Sequence, residues 1–109
     1  PPENLLIVCD DLNLPLGRLR LRRDGSSGGQ KGLQDTISQL GTNEFARLRI
    51  GIDRPPGRMD AAQYVLSRYS RAEREIMDEA INRATRAVST WITSGIDAAM
   101  NQANAAPAD

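Results

Sequence analysis

Two adjacent acids, Asp10 and Asp11, close the apolar run Leu5-Leu6-Ile7-Val8-Cys9. A pair of carboxylates can divide acid and base work across one bond, as in glycoside hydrolysis. Consecutive strand residues point to opposite faces, however, so these two cannot flank a single bond. On pattern alone they read as a solvated strand terminus. The other candidates for chemistry are cationic. Arg18, Arg20 and Arg22 alternate with Leu19 and Leu21, and Arg47 and Arg49 alternate with Leu48, Ile50 and Ile52. Such rows either solvate an exposed face or hold a positive field over a phosphate-bearing partner, and the solvated face is the commoner use. Between them lies Asp24-Gly25-Ser26-Ser27-Gly28-Gly29-Gln30-Lys31. This glycine-rich stretch brings backbone N–H groups to a helix start but lacks the spacing and terminal Lys-Ser/Thr of a P-loop. With one cysteine and no histidine, neither an internal disulfide nor a Cys/His zinc site can be built, and no cofactor is expected.

The elements that must position these groups follow from periodicity. The run Leu5–Cys9 has the continuous apolar character of a strand buried on both faces, which needs neighbours on both sides. Asn13-Leu14-Pro15-Leu16-Gly17 is turn chemistry, and Arg18–Arg22 alternates as a half-buried strand with one charged face. Leu33, Ile37 and Leu40 recur at helical spacing and Gly41 closes that helix. Phe45–Ile52 alternates as a second arginine-faced strand. Pro55-Pro56-Gly57 breaks the chain into a loop, after which Asp60 caps a short helix carrying Tyr64, Val65 and Leu66. Ser70 and Glu73 form a capping box opening a long helix whose stripe runs Ile76, Ala80, Ala84, Ala87, Trp91, a packing face rather than a base-stacking one. Ser94-Gly95 ends it. Ile96, Ala99 and Met100 make one more short helix before a tail expected to fray.

Composition bounds the class. The 109 residues are 39% hydrophobic and 26% charged, the profile of one soluble globular domain spanning 1–109. Fourteen basic residues balance fourteen acidic ones, yet five basic residues and one acid lie between Arg18 and Lys31. No apolar run approaches a membrane span, and Pro1-Pro2-Glu3-Asn4 is not a signal peptide, so a reducing cytoplasmic setting is the default. The absence of an initiating methionine and the early strand imply an upstream portion left out.

Taken together, CDDLNLPLGRLRLRRDGSSGGQKGL, then FARLRIGIDRP, then YVLSRYS before a long helix resemble the bacterial and organellar peptidyl-tRNA hydrolase family over nearly the whole chain. The order and spacing of these segments carry the resemblance; a GG dipeptide alone would carry none. It implies an α/β fold, a mixed sheet flanked by helices, whose N-terminal half supplies the first strands and a catalytic histidine absent from this sequence. It implies hydrolysis of the ester joining a peptide to tRNA, with that histidine as general base. Asp10 matches the carboxylate that accepts a hydrogen bond from the imidazole, whereas Asp11 inherits no catalytic role. Gly29, Gln30 and Lys31 fall in the glycine-rich gate that contacts the substrate's terminal nucleotides and peptide backbone. Many members carry His-Asn where this chain has Gln30-Lys31; glutamine keeps a donor and an acceptor, lysine only donors and a charge. Arg22 and Arg49 fall on the basic pair that grips the tRNA 5′-phosphate, while Arg18, Arg20, Arg23 and Arg47 are expected simply to solvate strand faces and add to the field. Asp53–Ala62 corresponds to the loop bordering the peptide crevice.

The implied partner is peptidyl-tRNA, with no metal and no membrane, and with a monomer once the chain is complete. This piece alone is expected to be inactive, and poorly soluble or oligomeric, because Leu5–Cys9 would lack a neighbour. The competing function is that of an RNA-bound scaffold, as in an organellar relative that serves intron splicing. A third reading is a truncated gene product.

Overall fold

A computed structural model describes residues 1–53 and 70–105. A 3₁₀ turn at Pro2–Asn4 leads into β1 (Leu6–Asp11), followed by β2 (Leu19–Arg22), α1 (Lys31–Leu40), β3 (Ala46–Gly51), α2 (Arg71–Ser94) and α3 (Ile96–Asn104). The expected loop and short helix around Pro55, Asp60, Tyr64, Val65 and Leu66 lie outside the described residues, as does most of the Asp53–Ala62 loop.

The three strands form one mixed sheet in the order β1-β3-β2. β3 runs parallel to β1, with Val8 opposite Leu48 and Asp10 opposite Ile50, and antiparallel to β2, with Leu21 opposite Leu48 and Arg22 opposite Arg47. This register stacks like on like. Leu6, Val8, Leu48, Ile50, Leu19 and Leu21 share one face, and Arg20, Arg22, Arg47 and Arg49 share the other.

The apolar face is covered by α2 and α3. Leu19, Leu21 and Leu48 form a core with Ala80, Ala84, Ala87, Ala99 and Ala103, and half-buried Trp91 packs against it. Small residues along the α2 stripe let the helix approach the sheet closely, so the stripe is packing, as its spacing indicated. Ile76, at its N-terminal end, remains 44% exposed. The helix boundaries match the sequence signals. The Ser70 side chain accepts from the Glu73 N–H while the Glu73 side chain accepts from the Ser70 N–H, and Gly41 closes α1 in the left-handed region with φ 71°.

Among the described residues β3 is the only sheet neighbour of β1, as expected of this piece, but its apolar run is not buried on both faces, because Val8 is 51% exposed. Val8 is exposed because the alanine-faced helices pack over Leu19, Leu21 and Leu48. The last helix extends through Asn104, so the beginning of the tail expected to fray is helical, while residues 106–109 lie outside the described residues. Asn104 Oδ1 accepts from the Leu21 N–H at 2.7 Å, and its Nδ2 donates to the Leu21 carbonyl at 3.0 Å. One amide side chain thus satisfies both free backbone groups of Leu21 on the outer edge of β2.

Gly51 ends β3 where the Leu14-Pro15 turn crosses it. A Cβ at this position would lie 2.0 Å from the Pro15 carbonyl oxygen, so only glycine admits the turn that returns the chain into β2.

Candidate functional site

The arginine face of the sheet places like charges in direct opposition, Arg20 against Arg49 and Arg22 against Arg47. Opposed like charges destabilise a sheet unless each is compensated, and the four are compensated differently. Arg20 and Arg22 on β2 reach solvent. Arg49 Nη1 lies 3.5 Å from Asp11 Oδ2, an ion pair in which both side chains are about nine-tenths buried, and Arg49 Nη2 donates to the Ser26 carbonyl at 2.9 Å. Arg47 is only 1% exposed. It donates from Nε to the Phe45 carbonyl, from Nη1 to those of Gly25 and Ser26, and from Nη2 to that of Asn43, at 2.7 to 3.1 Å. Its guanidinium also lies over the Phe45 ring, 4.6 Å from the centroid. Burial and the adjacent Arg49 push it down from its ordinary pKa, opposed by Asp24. The expectation that Arg47 merely solvates a strand face is therefore wrong, because the glycine-rich loop folds over it and supplies carbonyls that take the place of water.

Between that loop and the two strands is an open cleft of about 330 Å³, bordered by Arg20, Arg22, Arg47, Arg49, Asp11, Ser26 and Gly28. Arg22 and Arg49, singled out as a phosphate pair, thus share one concavity. The loop approaches Arg49 closely: Gly28 has φ +61°, and a Cβ there would lie 2.6 Å from Arg49 Nη1. The positive φ favours glycine, and a side chain here would displace the end of Arg49.

Asp10 occupies the other face at the end of β1, as alternation demands, and is exposed. It is not free-standing. Gln30 Nε2 donates to Asp10 Oδ1 at 3.0 Å, while Gln30 Oε1 accepts from the Leu33 N–H at 2.6 Å as the N-cap of α1. One side chain therefore ties the carboxylate to the start of a helix. An amide has two donor hydrogens and two acceptor lone pairs, so one of each remains for a ligand. Lys31, the first residue of α1, is exposed, and Gly29 has φ +86° with open space where a side chain would be.

The structure thus brings Asp10 together with Gln30, and Arg22 together with Arg49, as two neighbouring clusters joined by the glycine-rich loop. Asp11 and Arg47 were missed as site residues. Asp11 carries a local signal, because its Oδ1 accepts from the Asn13 N–H at 2.7 Å in an Asx turn, and Asp-x-Asn before a proline turn announces one. Cys9 is half-buried, and desolvation raises its thiol pKa, with Arg49 opposing. Among the described residues no cluster of His, Cys, Asp or Glu could hold a metal ion, and no helix is long and apolar enough to cross a membrane.

The family model for peptidyl-tRNA hydrolase matches residues 1–109. The chain is 50% identical over 105 residues to a peptidyl-tRNA hydrolase of Rhodopirellula baltica, covering 96% of this chain and 55% of that protein. It is 49% identical over 104 residues to one of Chloroflexus aggregans, covering 95% and 55%. The crystal structure of peptidyl-tRNA hydrolase from Acinetobacter baumannii superposes with a TM-score of 0.83 at 38% identity, over 95% of this chain and 53% of that one. The chain spans about half the length of the curated relatives it matches. With a family model matching residues 1–109 and relatives about 50% identical, the chain belongs to the peptidyl-tRNA hydrolase family.

Proposed function

We propose that this chain is the carboxylate- and phosphate-bearing part of one larger domain that hydrolyses the ester between peptide and tRNA, releasing tRNA for reuse. A histidine outside the given sequence is the general base. Water must be deprotonated as it attacks the ester carbonyl, and an imidazole does this well only in the tautomer whose bare nitrogen faces the water. Asp10 accepts from the other ring nitrogen, fixes that tautomer and stabilises the imidazolium formed. The observation that carries this reading is the Gln30–Asp10 hydrogen bond, which holds an exposed carboxylate still at a strand end without neutralising it.

Gly29, Gln30 and Lys31 line the approach to that carboxylate. The remaining donor and acceptor of Gln30 suit a peptide backbone or a ribose hydroxyl, and Lys31 adds charge toward a phosphate. Arg22 and Arg49 take the tRNA 5′-phosphate in the cleft, where a guanidinium fork matches phosphate oxygens bidentately. Arg18, Arg20 and Arg23 extend the field, which weakens with salt. The partner is peptidyl-tRNA, the setting cytoplasmic and the complete protein a monomer.

The test is turnover of an N-acetylaminoacyl-tRNA by the full-length protein against the 109-residue chain alone. The first is expected to release free tRNA and the second to release none. A full-length protein that binds RNA and another protein without turnover would replace this reading with an RNA-bound scaffold.

A further inference from the structure

We propose that Arg47 is the positioning residue of the phosphate cleft, clamping the glycine-rich loop to β3 so that Arg49 is held toward the cleft it shares with Arg22. The inference rests on the phosphate reading of Arg22 and Arg49. A guanidinium has five N–H donors, and Arg47 directs four hydrogen bonds into main-chain carbonyls: Phe45 and Asn43 at the entrance to β3, Gly25 and Ser26 in the loop. It therefore joins two segments some twenty residues apart in sequence through backbone atoms alone, and no side-chain change in the loop can mimic its loss.

The Ser26 carbonyl is the link to function. It accepts from Arg47 Nη1 at 3.1 Å and from Arg49 Nη2 at 2.9 Å, which uses both lone pairs of one oxygen. Arg49 is further bounded by the Gly28 backbone and by Asp11 Oδ2 at 3.5 Å. Three contacts thus define where its fork points, and two belong to the loop that Arg47 anchors. Once the loop is freed, Arg49 retains only Asp11, an anion that competes with a phosphate for the same donors. Arg47 borders the cleft only from beneath the loop, 1% exposed and with four of its five donors already given to backbone carbonyls, so its main role there is to hold Arg49. Its contribution is that Arg49 arrives already oriented, so that a phosphate does not have to order it. Lysine cannot substitute, because a single ammonium has three donors and no planar fork to span both segments.

The experiment measures kcat and KM of the full-length protein on N-acetylaminoacyl-tRNA with its 5′-phosphate and on the same tRNA after phosphatase treatment. Arg47→Lys keeps the charge and loses the fork, and Arg49→Met serves as reference. For Arg47→Lys, shown to be folded by its melt, KM on the phosphorylated substrate is expected to rise about tenfold, the worth of a charge-assisted hydrogen bond. It should thereby meet the KM on the dephosphorylated one, with kcat within about twofold of wild type because Asp10 and Gln30 are untouched. A folded Arg47→Lys that keeps the wild-type ratio of the two KM values overturns the clamp while leaving the phosphate reading standing. No preference in the wild type, or full preference in Arg49→Met, overturns the phosphate reading itself and the clamp with it. Should Arg47→Lys fail to fold, hydrogen exchange of the wild type decides. Exchange of the Gly29 and Gln30 amides in step with those of Leu48 and Arg49 supports a loop locked to β3, and exchange more than about a hundredfold faster overturns it.

Discussion

At the scale of single residues, the site depends on which polar atoms already have partners. Arg47 and Arg49 are two apart on one strand face, identical in type and both at the cleft, yet the donors of one are given to backbone carbonyls while the other pairs with Asp11. Alternation told that both point away from the core. It could not separate them, because the difference lies in where the Gly25-Ser26 peptide and the Asn43 carbonyl turn, and that is set by chain folding rather than by either arginine's neighbours. Gly28 is more legible, since a glycine cluster before a helix signals left-handed backbone. Gly28→Ala is expected to destabilise the protein by about 1 kcal/mol through its positive φ. It should also push Arg49 off its present position, raising KM for 5′-phosphorylated tRNA; a crystal structure of the variant with Arg49 unmoved would refute the steric half of this argument.

At the scale of elements, the capping box at the start of α2 was readable from Ser70 and Glu73 alone, and it gives a pH dependence with a definite sign. The hydrogen bonds from Ser70 hold the Glu73 carboxyl below its ordinary range. A depressed acid contributes stability that is present above its unfolded-state pKa and is lost as pH falls through the lower folded value. Glu73→Gln should therefore lose less melting temperature than wild type between neutral pH and about pH 3. Equal losses would show that the bond contributes nothing. Ser70→Ala is expected to cost about 1 kcal/mol at neutral pH. The closure of β2 by α3 was not legible. Asn104 sits in an Asn/Ala-rich tail with the composition of a frayed end, and only the packing of Ala99 and Ala103 brings its amide onto Leu21. Removing that amide in Asn104→Ala leaves a donor and an acceptor of Leu21 unpaired, at a cost of roughly 1–3 kcal/mol in a urea melt. A change below about 0.5 kcal/mol would mean that water replaces the side chain there.

At the scale of the whole molecule, the two edges of the sheet are treated unlike each other. Asn104 covers β2, whereas β1 offers Leu6 to Cys9 with no charge or proline among them and with Val8 exposed. Such an edge templates pairing with another strand. The 109-residue chain on its own is expected to self-associate in light scattering, and Val8→Lys to reduce that association; a monodisperse monomer at high concentration would contradict it. Strand periods, helix ends and the arginine rows were all visible in the sequence. The strand order β1-β3-β2 was not, because it depends on which strands pair across long connections, whereas the missing neighbour of Leu5–Cys9 was expected of this piece.

On the proposed function, Asp10, held by Gln30, orients a catalytic imidazole that comes from outside this sequence. The most direct test of that role is kcat of Asp10→Asn in the full-length protein on peptidyl-tRNA. The account predicts a fall of about 10²–10⁴-fold with KM changed by no more than a few fold, because the asparagine keeps the shape and loses the charge and the tautomer preference. A variant that turns over at the wild-type rate would contradict it.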